Sequence, residues 1–318
     1  MKPSPLVLQA VPTLLLLLAL GCNDKKAKTN PGGSNAGATA DAEAQALHPL
    51  ETLQDQAQCR TILQQLDNLP SVATRPSLSA SDLDDIRKFL QLSQSEATEV
   101  GQANFSQTDA NYLEECLLIR AGVRSLRLDG LQPLEQAQAA FDWVCRLVYV
   151  DNRVAWPAPA WMTLQTGSGV AHSRAYAILA AWQQLGLEGC LIGPPGLKTT
   201  PSFSAKTLRP DGSPTYAPIR ACGVKIEKEV YLFDPATGKA FLAADGKSVL
   251  TLAQARAKPD LVKTSPEDEA KTWQVFLAPS LSSLSARMDW LQGLNPGNTG
   301  VKLHGDIRKV RDRMTADL

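Results

Sequence analysis

A glycine-rich turn followed by an apolar helix and a short apolar strand restricts how this chain can fold. Residues 167–170 supply the turn, and apolar side chains then recur at helical spacing as far as Leu185, where Gly186 can end the helix. The apolar run 189–193 follows, and the segments 219–227 and 230–235 are typical of two strands joined by a tight turn. This order predicts an α+β fold in which the helix packs on a small antiparallel sheet.

The same order resembles the core of transglutaminase-like enzymes over roughly residues 134–241. In that family a catalytic cysteine begins the helix, where the helix dipole stabilises a thiolate, and a histidine and an aspartate follow on strands. The resemblance places Ala171 at the cysteine position, Arg220 at the histidine position and Asp234 at the aspartate position. It therefore implies a domain that no longer performs acyl transfer and that binds a peptide or protein or serves as a scaffold.

Two residues could in principle restore catalysis. The chain has three histidines, and His172, next to the replaced nucleophile, could act as a displaced base; a structural histidine is the alternative. Cys222 could be a relocated nucleophile, which would make the chain an active thiol peptidase or amide-transfer enzyme. Because Cys222 alternates with Val224 and Ile226, a buried structural cysteine on a strand is the simpler interpretation.

The N-terminus predicts export. An apolar run that is too short to span a bilayer lies between Lys2 and Cys22, as in a secretory signal. Its last residues, 19–22, resemble the lipobox of bacterial lipoproteins, in which the cysteine is acylated and becomes the first residue of the mature chain. The sequence thus predicts a signal peptide over 1–21, lipidation at Cys22 and a membrane-anchored lipoprotein of the bacterial cell envelope; an unlipidated signal peptide is the alternative.

Charge and composition limit the possible partners. Residues 22–47 are small and polar, which predicts a flexible tether. The chain has 32 basic and 32 acidic residues, and removal of the signal takes away Lys2, so the mature chain has 31 against 32 and a net charge of −1. This balance gives no electrostatic basis for binding nucleic acid, and the expected partners are the membrane, through the lipid, and a peptide or protein.

Hydrophobic periodicity divides the rest of the chain into three regions. Residues 48–126 predict an N-terminal helical region, in which the ordered part starts near Pro49. A first helix lies around Cys59, a second starts at Ser81, and a third follows a capping box at Ser106. Residues 127–246 form the predicted transglutaminase-like core, which opens with a helix at Pro133. Residues 247–318 predict a C-terminal helical extension.

Aromatic residues and cysteines complete the candidate site. Trp156 and Trp161 flank a proline-rich stretch that could form a lip of a binding groove or simply cover the core, and 198–216 is a long loop. Five cysteines follow Cys22, and Cys59 with Cys116 is the predicted disulfide pair. No spacing typical of metal ligands occurs, so no metal site or cofactor is expected. The candidate binding residues are Trp156, Trp161, His172 and Asp234.

Overall fold

The computed structural model describes residues 35–52, 55–70, 75–151, 158–195, 219–262, 270–294, 299–305 and residue 312. The predicted signal peptide, Cys22, Trp156 and the loop 198–216 lie outside these ranges. No helix within them is long and apolar enough to cross a membrane.

The first half of the chain is helical, as predicted. Its helices are α1 (Asn35–Leu47), α2 (Gln56–Asp67), α3 (Ala80–Leu90), α4 (Gln94–Gly101), α5 (Gln107–Ser125) and α6 (Pro133–Leu147). The capping box at the start of α5 is confirmed: the Asp109 amide donates to Ser106 Oγ at 3.3 Å, and the Ser106 amide donates to Asp109 Oδ2 at 2.8 Å. Pro133 is the first residue of α6, also as predicted.

The predicted tether is wrong over its second half. Residues Asn35–Leu47 form α1, and Leu47 is buried in a hydrophobic cluster with residues of α2 and α5. Alanine is the strongest helix former, and this segment is alanine-rich. The buried Leu47 then holds the end of the helix against the domain.

The second half contains the sheet, and the α+β prediction is confirmed. The segments are β1 (Tyr149–Val150), α7 (Ala160–Thr166), β2 (Ser168–Gly169), α8 (Ala171–Leu185), β3 (Glu188–Gly193), β4 (Ala221–Ile226), β5 (Glu229–Asp234), β6 (Lys239–Ala240), α9 (Leu252–Ala257), β7 (Gln274–Phe276) and α10 (Ala286–Leu294). The larger sheet is antiparallel with the order β6-β5-β4-β3-β7, while β1 and β2 pair in parallel.

The C-terminal region is not a purely helical extension. It supplies β7, which pairs with β3 and forms one edge of the sheet. It also supplies α10, whose Met288 and Leu291 are fully buried against α2 and α5. Strand β7 therefore covers an edge of the sheet, and α10 covers an apolar surface of the N-terminal helices.

Helix α8 lies at the centre of the fold. Trp182 on this helix is fully buried, donates from Nε1 to the Ala137 carbonyl at 2.8 Å, and packs edge-on against Phe233 of β5 at 5.4 Å between ring centroids. Phe233 also contacts Phe141 of α6, with ring centroids 4.9 Å apart. These contacts fix α8 between α6 and the sheet, and the packing of this helix on the sheet agrees with the prediction.

No disulfide joins the cysteines of the described residues, so the predicted Cys59–Cys116 disulfide is wrong. Both thiols lie in the apolar cluster between α2 and α5 and are nearly inaccessible to solvent. Burial raises the pKa of Cys59 to about 12 and raises that of Cys116 further, so neither forms the thiolate that disulfide exchange requires.

Candidate functional site

The residues at the predicted triad positions lie around one end of the sheet. Arg220 directly precedes β4 and Asp234 ends β5. Because β4 and β5 are antiparallel and Cys222 pairs with Phe233, Arg220 and Asp234 lie at the same end of the hairpin. Ala171 begins α8, as predicted, and the side chain of Arg174, one turn later, reaches the chain just after Asp234.

Arg174 joins the first turn of α8 to the end of the sheet. Its buried guanidinium donates to the carbonyls of Pro235 at 3.0 Å and Ala236 at 3.4 Å, and also to the carbonyl of Val148. An arginine that serves backbone carbonyls in this way positions two segments and carries out no group transfer.

The Asp234 carboxylate is satisfied by its own turn. Oδ1 accepts from the Ala236 amide at 2.8 Å and the Thr237 amide at 3.2 Å, and Oδ2 accepts from Thr237 Oγ1 at 2.7 Å. Asp234 is therefore buried and paired with backbone N–H groups of the turn that follows it. These bonds shape the turn after β5 and leave Asp234 in a structural role.

The possible replacement groups lie in unsuitable surroundings. Cys222 is fully buried on β4, and burial raises the pKa of its thiol well above the ordinary value. Cys145 on α6 is half-buried, and burial raises its pKa to about 11. His172 is partly buried in the first turn of α8, next to Ser173, whose Oγ accepts from the Ala158 amide at 2.9 Å. Nucleophilic attack needs an accessible thiolate, which these two thiols do not supply.

A cavity of about 700 Å³ lies along a different face of α8. Tyr176, Leu179, Ala180 and Gln183 line it, and their spacing places them on one stripe of the helix. Residues 158–161, at the start of α7, also line the cavity, as do residues 277–283 and, near the C-terminus, Lys302, His304 and Gly305. The predicted binding residue Trp161 therefore lines this cavity. Ala171, His172, Arg220 and Asp234 do not.

We name this space the Trp161 cavity, and its polar groups are few. Glu115 of α5 is partly buried in it, and its Oε2 accepts from the Trp161 amide at 3.2 Å. Ser282 is almost completely buried, and its Oγ has no hydrogen-bond partner within the described part of the chain. Tyr112 Oη accepts from Gln183 Nε2 at 2.8 Å and donates to the Leu303 carbonyl at 3.1 Å.

Sequence reasoning missed Glu115 and Ser282. Glu115 follows the buried positions Tyr112 and Leu113 on α5, yet nothing near it in the sequence separates it from a solvated acid at the edge of an apolar face. The position of both residues at the cavity is evident only in the folded protein, where α5, the start of α7 and residues 277–283 pack together.

The described residues contain no cluster of histidine, cysteine or carboxylate side chains that could hold a metal ion.

Comparisons of the chain with known protein families, with curated proteins and with solved structures found no significant match.

Proposed function

We propose that this chain is a lipid-anchored protein of the bacterial cell envelope with an inactive transglutaminase-like domain. In this proposal it binds a segment of a peptide or partner protein and catalyses no reaction. The segment places its apolar side chains in the Trp161 cavity.

The cavity is the observation that carries the proposal. Its volume of about 700 Å³ lies in the range of roughly 300–1,000 Å³ typical of ligand sites. Most of its surface is apolar or aromatic, formed by Trp161, Tyr176, Leu179, Leu187, Leu277 and Leu281. Burying one leucine or phenylalanine side chain contributes about 1.5–3 kcal/mol, so two such side chains could support specific binding.

The rim of the cavity also suits an extended chain. Residues 277–280 line it and belong to no helix or strand. A bound peptide can therefore lie along this segment and accept hydrogen bonds from the amides of Ala278 and Ser280, and its side chains can enter between α7 and α8.

Calorimetric titration of the full chain in phosphatidylcholine nanodiscs tests the proposal, with empty nanodiscs as the blank. We expect the capped peptide Ac-Leu-Phe-Leu-NH2 to bind and Ac-Ser-Gln-Ser-NH2 not to bind. Ala180→Phe should weaken binding about tenfold or more, or about 1.4 kcal/mol, because the new ring occupies the cavity. Ala253→Phe, at an exposed position of α9 away from the cavity, should leave binding unchanged.

Binding of both peptides to the same extent, or full binding by Ala180→Phe with an unchanged circular dichroism spectrum, would contradict cavity binding. If no apolar peptide binds, the proposed function is wrong.

The rival function, a thiol peptidase or amide-transfer enzyme using Cys222, makes a separate prediction. We expect no turnover of glutamine-containing or cell-wall peptides by the parent protein, because a buried thiol of raised pKa neither contacts a substrate nor ionises. Cys222→Ala and Cys190→Ala test this; Cys190 is a second fully buried cysteine, on the neighbouring strand. Turnover that is abolished only by Cys222→Ala would establish the enzyme instead.

A further inference from the structure

We propose that the peptide bound in the Trp161 cavity presents a primary ammonium group, from a lysine side chain or a free N-terminus, that pairs with Glu115. This inference rests on the proposed function and specifies the chemistry of the ligand.

Glu115 is an acid in an apolar cavity without a cation beside it. The Trp161 amide is its hydrogen-bond donor, and no basic side chain of the described residues lies within ion-pair distance. A carboxylate has about four acceptor positions, so most of those on Glu115 have no donor from the described residues. Partial removal of a carboxylate from water without a cation beside it is costly, and a ligand cation would lower that cost.

Two further features of the same cavity suit an ammonium group. The Oγ of Ser282, buried and without a hydrogen-bond partner within the described ranges, can accept one N–H. Trp161, Tyr112 and Tyr176 also line the cavity, and aromatic faces attract cations. An ammonium with three donors and an aliphatic stem matches this combination of carboxylate, hydroxyl and apolar wall.

The charge state of Glu115 gives the interaction a pH dependence. Burial raises the pKa of Glu115 to about 7, and the Trp161 amide opposes part of that rise. Below pH 7 the carboxyl is mostly protonated and cannot pair with an ammonium; above pH 7 it is ionised and can. Affinity for a lysine ammonium should therefore increase with pH up to about 8 and then level off, whereas affinity for a free N-terminus, whose ordinary pKa is about 7.7–8.0, should pass through a maximum at about pH 7.5 and then fall.

Other titratable groups border Glu115 or the cavity. They come from α5, α8, β3 and the segment 302–305, and they are Glu114, Cys116, Tyr112, Tyr176, Glu188, Lys302 and His304. His304 lies 3.8 Å from Asp289. Substitution of Glu115 therefore assigns the pH dependence to that residue.

The experiment compares three peptides on the full chain in phosphatidylcholine nanodiscs. Ac-Phe-Lys-Leu-NH2 carries a side-chain ammonium, Phe-Nle-Leu-NH2 carries a free N-terminus, and Ac-Phe-Nle-Leu-NH2 has a similar apolar content and no ammonium. At pH 8 we expect at least one ammonium peptide to bind about tenfold more tightly than the uncharged one, and which of the two does so identifies the source. At pH 5.5 only about 3% of a carboxyl with a pKa of about 7 is ionised, so the tenfold preference should fall to near one.

Glu115→Gln should remove the preference and its pH dependence while retaining the acceptor for the Trp161 amide. Glu114→Gln, the neighbouring acid on α5, is the matched control and should keep both. Equal affinities for all three peptides at pH 8, or a preference that survives in Glu115→Gln, would overturn the inference and leave the proposed function standing. If none of the three binds, the proposed function itself fails.

Discussion

Replacement of Arg287 by methionine is expected to lower the free energy of unfolding by about 3–5 kcal/mol. Arg287 on α10 and Asp109 on α5 form an ion pair in which neither side chain is exposed, with Nε 2.6 Å from Oδ2 and Nη2 3.1 Å from Oδ1. Removing the arginine leaves Asp109 charged, buried and without its cation. Urea denaturation followed by circular dichroism measures the loss.

The arginine also serves the end of α4. Its Nη1 donates to the carbonyls of Glu99 at 2.8 Å, Val100 at 3.3 Å and Gln102 at 2.9 Å, at a helix end where carbonyls lack their usual intrahelical donors. One guanidinium thus joins α4, α5 and α10. We expect Arg287→Lys to restore only a small part of the stability, because an ammonium cannot reproduce the planar fork of donors.

An exposed pair provides the control. Lys88 and Asp84 lie one turn apart on α3, 2.5 Å from each other, with side chains 73% and 47% exposed. Lys88→Met should leave the unfolding midpoint unchanged within error, because solvent screens such pairs. An Arg287→Met variant that unfolds at the same urea concentration as the parent would show that the buried pair does not hold the C-terminal region in place.

Loss of membrane attachment is the second large effect, expected for Cys22→Ser in a producing bacterium. Each buried methylene of an acyl chain contributes about 0.8 kcal/mol, so a chain with two or more acyl groups is held on the membrane and one without them is not. Radiolabelled palmitate incorporation and acyl-dependent retention in the membrane fraction should both disappear.

The neighbouring substitution Asn23→Ala is the control and should keep both the label and the membrane fraction. Continued palmitate labelling of Cys22→Ser would make the lipobox assignment wrong. Loss of the label in both variants would instead point to a defect in export.

Local signals were sufficient to predict several elements. The capping box at Ser106, Pro133 at the start of α6 and Gly186 at the end of α8 act through hydrogen bonds and dihedral preferences within a few residues. Alternating apolar residues predicted β4 and β5 in the same way. The burial and backbone partners of Asp234 could also be anticipated, since its donors are two and three residues away.

Where a local pattern was ambiguous, the prediction failed. The segment before Pro49 is polar, as in a flexible tether, but it is also rich in alanine, as in a helix. The burial of Leu47 stabilises the helical form. Similarly, the short apolar segment that forms β7 is surrounded by helical signals, and only its pairing with β3 makes it a strand.

The sequence by itself determined the α+β class and the helix that begins at Ala171, because these follow from residue identity and short-range periodicity. The tertiary structure alone decided which polar groups are buried together. Glu115 meets Trp161 across 46 positions, and Asp109 meets Arg287 across 178. A charged side chain has the same local sequence signature whether it faces solvent or a cavity, and its environment is fixed only when distant apolar faces pack and exclude water around it.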